Sequence, residues 1–121
     1  MTQPIVYDTS ALIELFDAHP IAPNYWNRAD KGRLGLVFPA AAVADANTTL
    51  QASYNAWSAL LWPESVHVAP LDASAAIETG LRRSHDLATS HVVHEARAVR
   101  GIVLTGDPNR YAGAPVPLLV L

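Results

Sequence analysis

The chain has 121 residues, half of them hydrophobic, a formal net charge of −3 at pH 7 and no cysteine. That length suits a single domain, residues 1–121, with one core, and the absence of cysteine excludes disulfides, iron–sulfur clusters and thiolate zinc sites, so any metal must be held by carboxylates or histidines. The charge argues against a generally basic nucleic-acid surface but leaves room for a nuclease whose metal ions receive the phosphate.

Residues 4–7 read as the first strand, and residues 10–17 suit a helix that His19-Pro20 and Pro23 break before a second helical segment around residues 24–31. Gly32 and Gly35 then punctuate the chain. The alanine-rich run from Pro39 to Leu60 predicts a long helix or a helical pair, with Pro39 in its first turn. A strand is expected over residues 66–71. Asp72 reads as the N-cap of a helix through Arg83, and Ser84 or Asp86 opens another through Val99. Residues 101–104 and 116–121 complete the strands, and the alternation of strand and helix predicts an α/β fold. No apolar run reaches membrane-spanning length, and the N-terminus lacks the basic segment and long apolar stretch of a secretory signal, so a soluble, cytoplasmic protein is expected.

Two of these strands run into a carboxylate. Asp8 follows Pro4-Ile5-Val6-Tyr7, and Asp107 follows Gly101-Ile102-Val103-Leu104-Thr105-Gly106. In an open parallel sheet, ligands bind at the carboxyl ends of the strands, where the two acids converge if their strands are neighbours. Such a pair is tolerated when a hard divalent cation neutralises it. Each acid also has an ordinary explanation: Asp8 as a helix N-cap, and Asp107 as part of the turn Thr105-Gly106-Asp107-Pro108.

Val6-Tyr7-Asp8-Thr9-Ser10-Ala11-Leu12-Ile13, Phe38-Pro39 followed by Ala44-Asp45-Ala46, and Leu104-Thr105-Gly106-Asp107 together resemble the PIN domain, in particular the small VapC-type toxins of toxin–antitoxin pairs. The resemblance spans nearly the whole chain. It implies a three-layer α/β/α fold with a mainly parallel central sheet, an acidic cluster holding Mg2+ or Mn2+, and endoribonuclease activity that hydrolyses RNA phosphodiesters. It also implies a cognate type II antitoxin as partner, and a homodimer for which Trp57, Leu60 and Leu61 are plausible contacts. Asp8 matches the first acid, with Ser10 as its supporting hydroxyl. Asp45 stands where the family usually has a glutamate, so the charge is kept on a side chain one methylene shorter. Asp86 is the candidate third acid, with Thr89 or Ser90 in that place if the register is shifted, and an N-cap role for Asp86 is equally compatible. Asp107 matches the fourth acid, with Thr105 as a further supporting hydroxyl and Asn109 as a polar auxiliary. Asp8, Asp45, Asp86 and Asp107 are therefore the expected catalytic and metal-binding residues. The shortened second acid and the unsettled third motivate an alternative, a degenerate PIN-like binding or regulatory module.

Other signals are weaker. His91, His94 and Glu95 share a helical face, but zinc needs a third ligand at motif spacing that is not evident, so a core-edge pair is the expected role. Either His85 or His91 is a conceivable RNA-phosphate contact. Tyr25, Trp26, Tyr54, Trp57 and Trp62 are expected to pack rather than to stack bases, and Arg82, Arg83, Arg97 and Arg100 to form a solvated face. A nucleotide-binding domain ranks last because no Gly-rich phosphate loop follows the first strand.

Overall fold

The structure, a computed structural model, describes residues 3–17, 20–82 and 85–121. Five strands, β1 (Ile5–Tyr7), β2 (Leu36–Pro39), β3 (Val66–Ala69), β4 (Ile102–Thr105) and β5 (Leu118–Val120), form one sheet in the order β3-β2-β1-β4-β5. Every pairing is parallel, with Tyr7 opposite Leu104, Leu104 opposite Leu119, and Phe38 opposite Val68. The helices are α1 (Thr9–Phe16), α2 (Ile21–Asp30), α3 (Ala40–Leu50), α4 (Tyr54–Leu61), α5 (Ala73–Gly80) and α6 (Leu87–Val99). The strand order moves one way from β1 to β3, then returns to β4 and β5 on the other side of β1. Right-handed crossovers therefore put α1 to α4 on one face and α5 and α6 on the other. The order reverses between β1 and β4, which makes their carboxyl ends the topological switch point, where open α/β sheets bind ligands.

This is the expected three-layer α/β/α fold, with three local departures. β2 was not expected as a strand: it is four residues long, ends in Pro39 and passes directly into α3, so no turn signal separates strand from helix. Pro23 does not break α2. It occupies the first turn, where amides have no intrahelical acceptor in any case, so its missing N–H costs nothing. The segment after Pro39 is a helical pair, divided at Gln51, whose φ of 52° lies in the left-handed region. Asp72 and Asp86 cap α5 and α6 through Ala75 N–H and Thr89 N–H. α5 ends at Gly80, and the expected roles of Arg83, Ser84 and His19 fall outside the described residues.

The core is built on β1, β2 and β4, where Val6, Tyr7, Phe38, Val103 and Leu104 are fully buried, with Leu12 of α1 and Val92 and Val93 of α6 packed on them. Trp57 is not a surface contact. It is buried, edge-on to Phe16, and its indole N–H donates to Asn47 Oδ1, while Leu60 and Leu61 are half-buried. The exposed aromatics of α4 and its end are instead Tyr54 and Trp62. No helix among the described residues is long and apolar enough to cross a membrane.

Entry into β4 depends on a close backbone approach. A Cβ on Gly101 would lie 2.7 Å from the Pro4 carbonyl oxygen, which accepts the Ile102 N–H beside it. Gly101→Ala must push β4 from β1 or break that bond, and is expected to cost about 1–3 kcal/mol, read as a lower urea midpoint at unchanged slope.

Candidate active site at the carboxyl edge of the sheet

Asp8 leaves β1 at the switch point and is 3% exposed. Its capping role is real: Oδ1 accepts from Ala11 N–H at 2.9 Å and from the Ser10 hydroxyl at 2.6 Å. Oδ2 accepts from the Tyr111 hydroxyl at 2.8 Å. Three donors hold the buried carboxylate, which is how a charge survives in a dry position. Ser10 also accepts from Gly106 N–H at 2.8 Å, tying the start of α1 to the turn after β4. In that turn the Thr105 hydroxyl accepts from Asp107 N–H at 2.9 Å and fixes where Asp107 leaves the sheet.

The chain then makes a 3-10 turn, Pro108–Tyr111, with Pro108 at its first position. A period of about three residues brings Arg110 back over Asp107. Its Nε donates to Asp107 Oδ2 at 3.0 Å and its Nη1 to Asp86 Oδ2 at 2.9 Å. The hydrogen bond to Asp107 and the charges of Asp86, Asp107 and Asp45 raise the pKa of Arg110, so three of the four expected acids act on this one guanidinium. Burial and the Asp8 carboxylate likewise push the Tyr111 hydroxyl upward, keeping it a donor. Partial burial opposes the charge on Asp86, but the Thr89 N–H and hydroxyl and the Arg110 guanidinium outweigh it and hold its pKa below the usual carboxylate range. Asp45, half-buried on α3, accepts from the Thr9 hydroxyl at 2.9 Å.

A pocket of about 150 Å³ lies among these groups, lined by Asp8, Ser10, Thr89, Asp107, Arg110 and Tyr111. Thr89 thus stands at the pocket. Ser90 is buried away from it, with its hydroxyl 3.4 Å from the His85 carbonyl. Arg110 and Tyr111 were absent from the expected site. Asp107-Pro108 is the only local hint, since it starts a helical turn that returns the residue three positions on. His91 is no metal ligand in this arrangement. It is fully buried, its Nδ1 accepts from Ala41 N–H at 3.2 Å, and its Nε2 donates to Glu95 Oε2 at 3.1 Å.

The carboxylates offer hard oxygen donors of the kind magnesium and manganese take. Yet among the described residues no three acidic or histidine side chains are gathered closely enough to hold one ion. The cation between Asp86 and Asp107 is Arg110. The donor set fits a divalent ion in kind, and the present spacing is that of a guanidinium clamp.

No protein-family model matches the chain, and no curated protein matches it in sequence. Solved structures do. The chain is similar to one in DNA-bound VapBC from Salmonella typhimurium, with 14% identity, a TM-score of 0.70 and coverage of 98% of both chains. It is similar to one in VapBC2 from Rickettsia felis bound to a promoter DNA fragment, with 13% identity, a TM-score of 0.67 and coverage of 97% of this chain and 98% of that one. FitAcB from Neisseria gonorrhoeae gives 15% identity and a TM-score of 0.62 over 95% of this chain and 96% of that one. The fold is that of VapC-type PIN domains. The PIN-like chain shares with these proteins an architecture along almost its entire length, at identities that establish the fold alone.

Proposed function

We propose that this PIN-like chain is a metal-dependent endoribonuclease, the toxin of a type II toxin–antitoxin pair. The observation that supports it most is the meeting of Asp8 and Asp107 at the β1/β4 switch point, with Asp45 and Asp86 acting on the same Arg110. In this reading Asp8 and Asp107 hold Mg2+ or Mn2+, and Asp45 and Asp86 complete the acidic ring. A bound divalent ion supplies an acidified water and positive charge against the phosphate. The chain's own residues do the positioning: Ser10 and Tyr111 fix the rotamer of Asp8, Thr105 fixes the exit of Asp107, and Thr89 holds Asp86. Ser90, whose hydroxyl donates to the His85 carbonyl at 3.4 Å, supports the start of α6 beside Asp86. An ion entering beside Asp107 would meet the Arg110 guanidinium bound to its Oδ2.

The likeness to the VapBC and FitAcB structures supports an antitoxin as partner, and we include a homodimer in the same reading. Equilibrium sedimentation and co-expression with a candidate antitoxin test these two points.

The decisive experiment is cleavage of a mixed panel of structured and single-stranded RNAs with manganese, magnesium or chelator, beside Asp8→Asn and Asp107→Asn. Metal-dependent cleavage is expected, falling in both variants to the chelator level. The Arg110 clamp is the observation that favours a second reading, a PIN-like binding module without catalysis. Absence of both cleavage and calorimetric metal binding would select it.

A further inference from the structure

Beside the acid site, on the face of the sheet that carries Tyr7, lies a second and larger concavity. The Tyr7 hydroxyl donates to the Ala22 carbonyl at 2.6 Å, which seats α2 on that face. Leu104 and Leu119 are in register with Tyr7 across β4 and β5 and share it. α2 does not reach over β5, and the gap is an open cleft of about 560 Å³. Leu104, Leu119 and Val120 form its apolar floor, while Tyr25, Arg28, Lys31 and Arg33 rise along one wall.

Three of the chain's eight lysines and arginines thus line one cleft of a molecule whose net charge is −3, and no carboxylate lines it. Among the described residues none of the three makes an ion pair. Cations at the end of a helix are ordinary partners of its dipole, which accounts for Arg28 and Lys31. Arg33 lies beyond the helix. It is brought back by Gly32, at a φ of 72°, and by its own N–H donating to the Arg28 carbonyl at 3.0 Å. The Arg28 guanidinium lies 5.6 Å from the centre of the Tyr25 ring, a cation–π contact that holds the charge beside an aromatic surface. Cations over an apolar and aromatic floor are what a single nucleic-acid strand requires.

The cleft shares no lining residue with the acid site, but its Leu104 lies three residues before Asp107 of that site. Val120 pairs with Thr105, Leu121 N–H donates to the Thr105 carbonyl, and Gly106 sits between the Leu121 and Ser10 side chains, with both within 3.5 Å of where its Cβ would be. The acid pocket, at about 150 Å³, has room for about five waters at roughly 30 Å³ each, enough for a phosphate but not for a nucleotide. A strand cut there must be held on the adjoining surface.

We propose that the cleft between α2 and β5 binds the sugar–phosphate backbone of single-stranded RNA, holding the part of the strand that flanks the nucleotide at the acid site. The inference rests on the ribonuclease reading for its substrate. The test is fluorescence anisotropy of a labelled single-stranded RNA dodecamer with the Asp8→Asn protein in chelator, where nothing is cut. Replacing Arg28, Lys31 and Arg33 together with glutamine is expected to weaken binding at low salt by at least about tenfold. The slope of log affinity against log salt should become shallower by about two, at roughly 0.7 per phosphate contact. Arg97→Gln with Arg100→Gln should change neither, and thermal unfolding checks that each variant is folded. Tyr25→Leu should weaken binding at an unchanged salt slope. An unaltered slope in the triple variant overturns the proposal, as does an acidic peptide that occupies the cleft and is not displaced by RNA. RNA binding that needs the three cations, in a protein that cuts no RNA, upholds the cleft and sinks the nuclease. Cleavage with an unaltered slope does the reverse.

Discussion

Arg110→Ala is expected to tighten manganese binding by on the order of tenfold or more, read by calorimetry on the purified protein. The guanidinium bridges Asp86 and Asp107 and also lies in the field of Asp45, so an entering ion must displace or face a positive charge. A divalent and a unit charge at roughly 6 Å repel by about 1.4 kcal/mol even at the dielectric of water, which is about tenfold in affinity. The fold should survive the change. Arg110, Asp86 and Asp107 are each about half exposed (47%, 54% and 48%), and exposed pairs of this kind contribute about 0–1 kcal/mol. Arg110→Lys should give an intermediate result, since an ammonium cannot bridge two carboxylates in the guanidinium's planar fork. Affinity that is unchanged or weaker in Arg110→Ala would mean that the arginine helps to build the site rather than guarding it.

His91→Ala is expected to cost about 3 kcal/mol of stability. α3 begins at Pro39, which has no side chain able to cap it, and His91 supplies the acceptor for Ala41 N–H from α6 instead. Removing the ring loses a cap worth about 1 kcal/mol, opens a cavity and strips Glu95 of its partner. pH should reveal the same residue. Burial lowers the His91 pKa from 6.5, against the opposing pull of Glu95 and with further lowering by His94, so the native state keeps it neutral. The unfolded chain takes up a proton as pH falls through about 6.5 and the native state does not, so this stabilisation is present above that pH and is lost below it. Urea midpoints between pH 5 and 8 should therefore fall more steeply on the acid side for the parent than for His91→Gln. Parallel curves would show that the ring is not buried neutral.

The parts of the molecule readable from sequence are those in which local chemistry and tertiary role coincide. Apolar runs ending in Asp8 and Asp107 announced both the strands and the edge they share, and Asp72 and Asp86 announced helix starts because an N-cap is recognised within three residues. β2 escaped notice because Leu36–Pro39 is short and passes into α3 without a turn residue. Arg110 depended on a turn whose three-residue period is not marked by composition. Tyr111 reaches Asp8 across 103 residues, and His91 reaches Ala41 across 50, so no neighbouring pattern encodes either contact. The histidine pair that looked like half a metal site is, for His91, a substitute for the capping residue that Pro39 cannot be.

The position of β4 has a consequence for how the molecule comes into being. Its neighbours are β1, near the start of the chain, and β5, near the end. As residues emerge in order, β1, β2 and β3 can align early, while Ser10 waits for the Gly106 N–H and Asp8 for the Tyr111 hydroxyl. Parallel pairings of such long range are the slow events of folding, because loop-closure entropy is spent before the contact repays it. The acid pocket is thus among the last features to assemble, and a nascent chain that has not yet released β4 carries Asp8, Asp45 and Asp86 without Asp107 or the site.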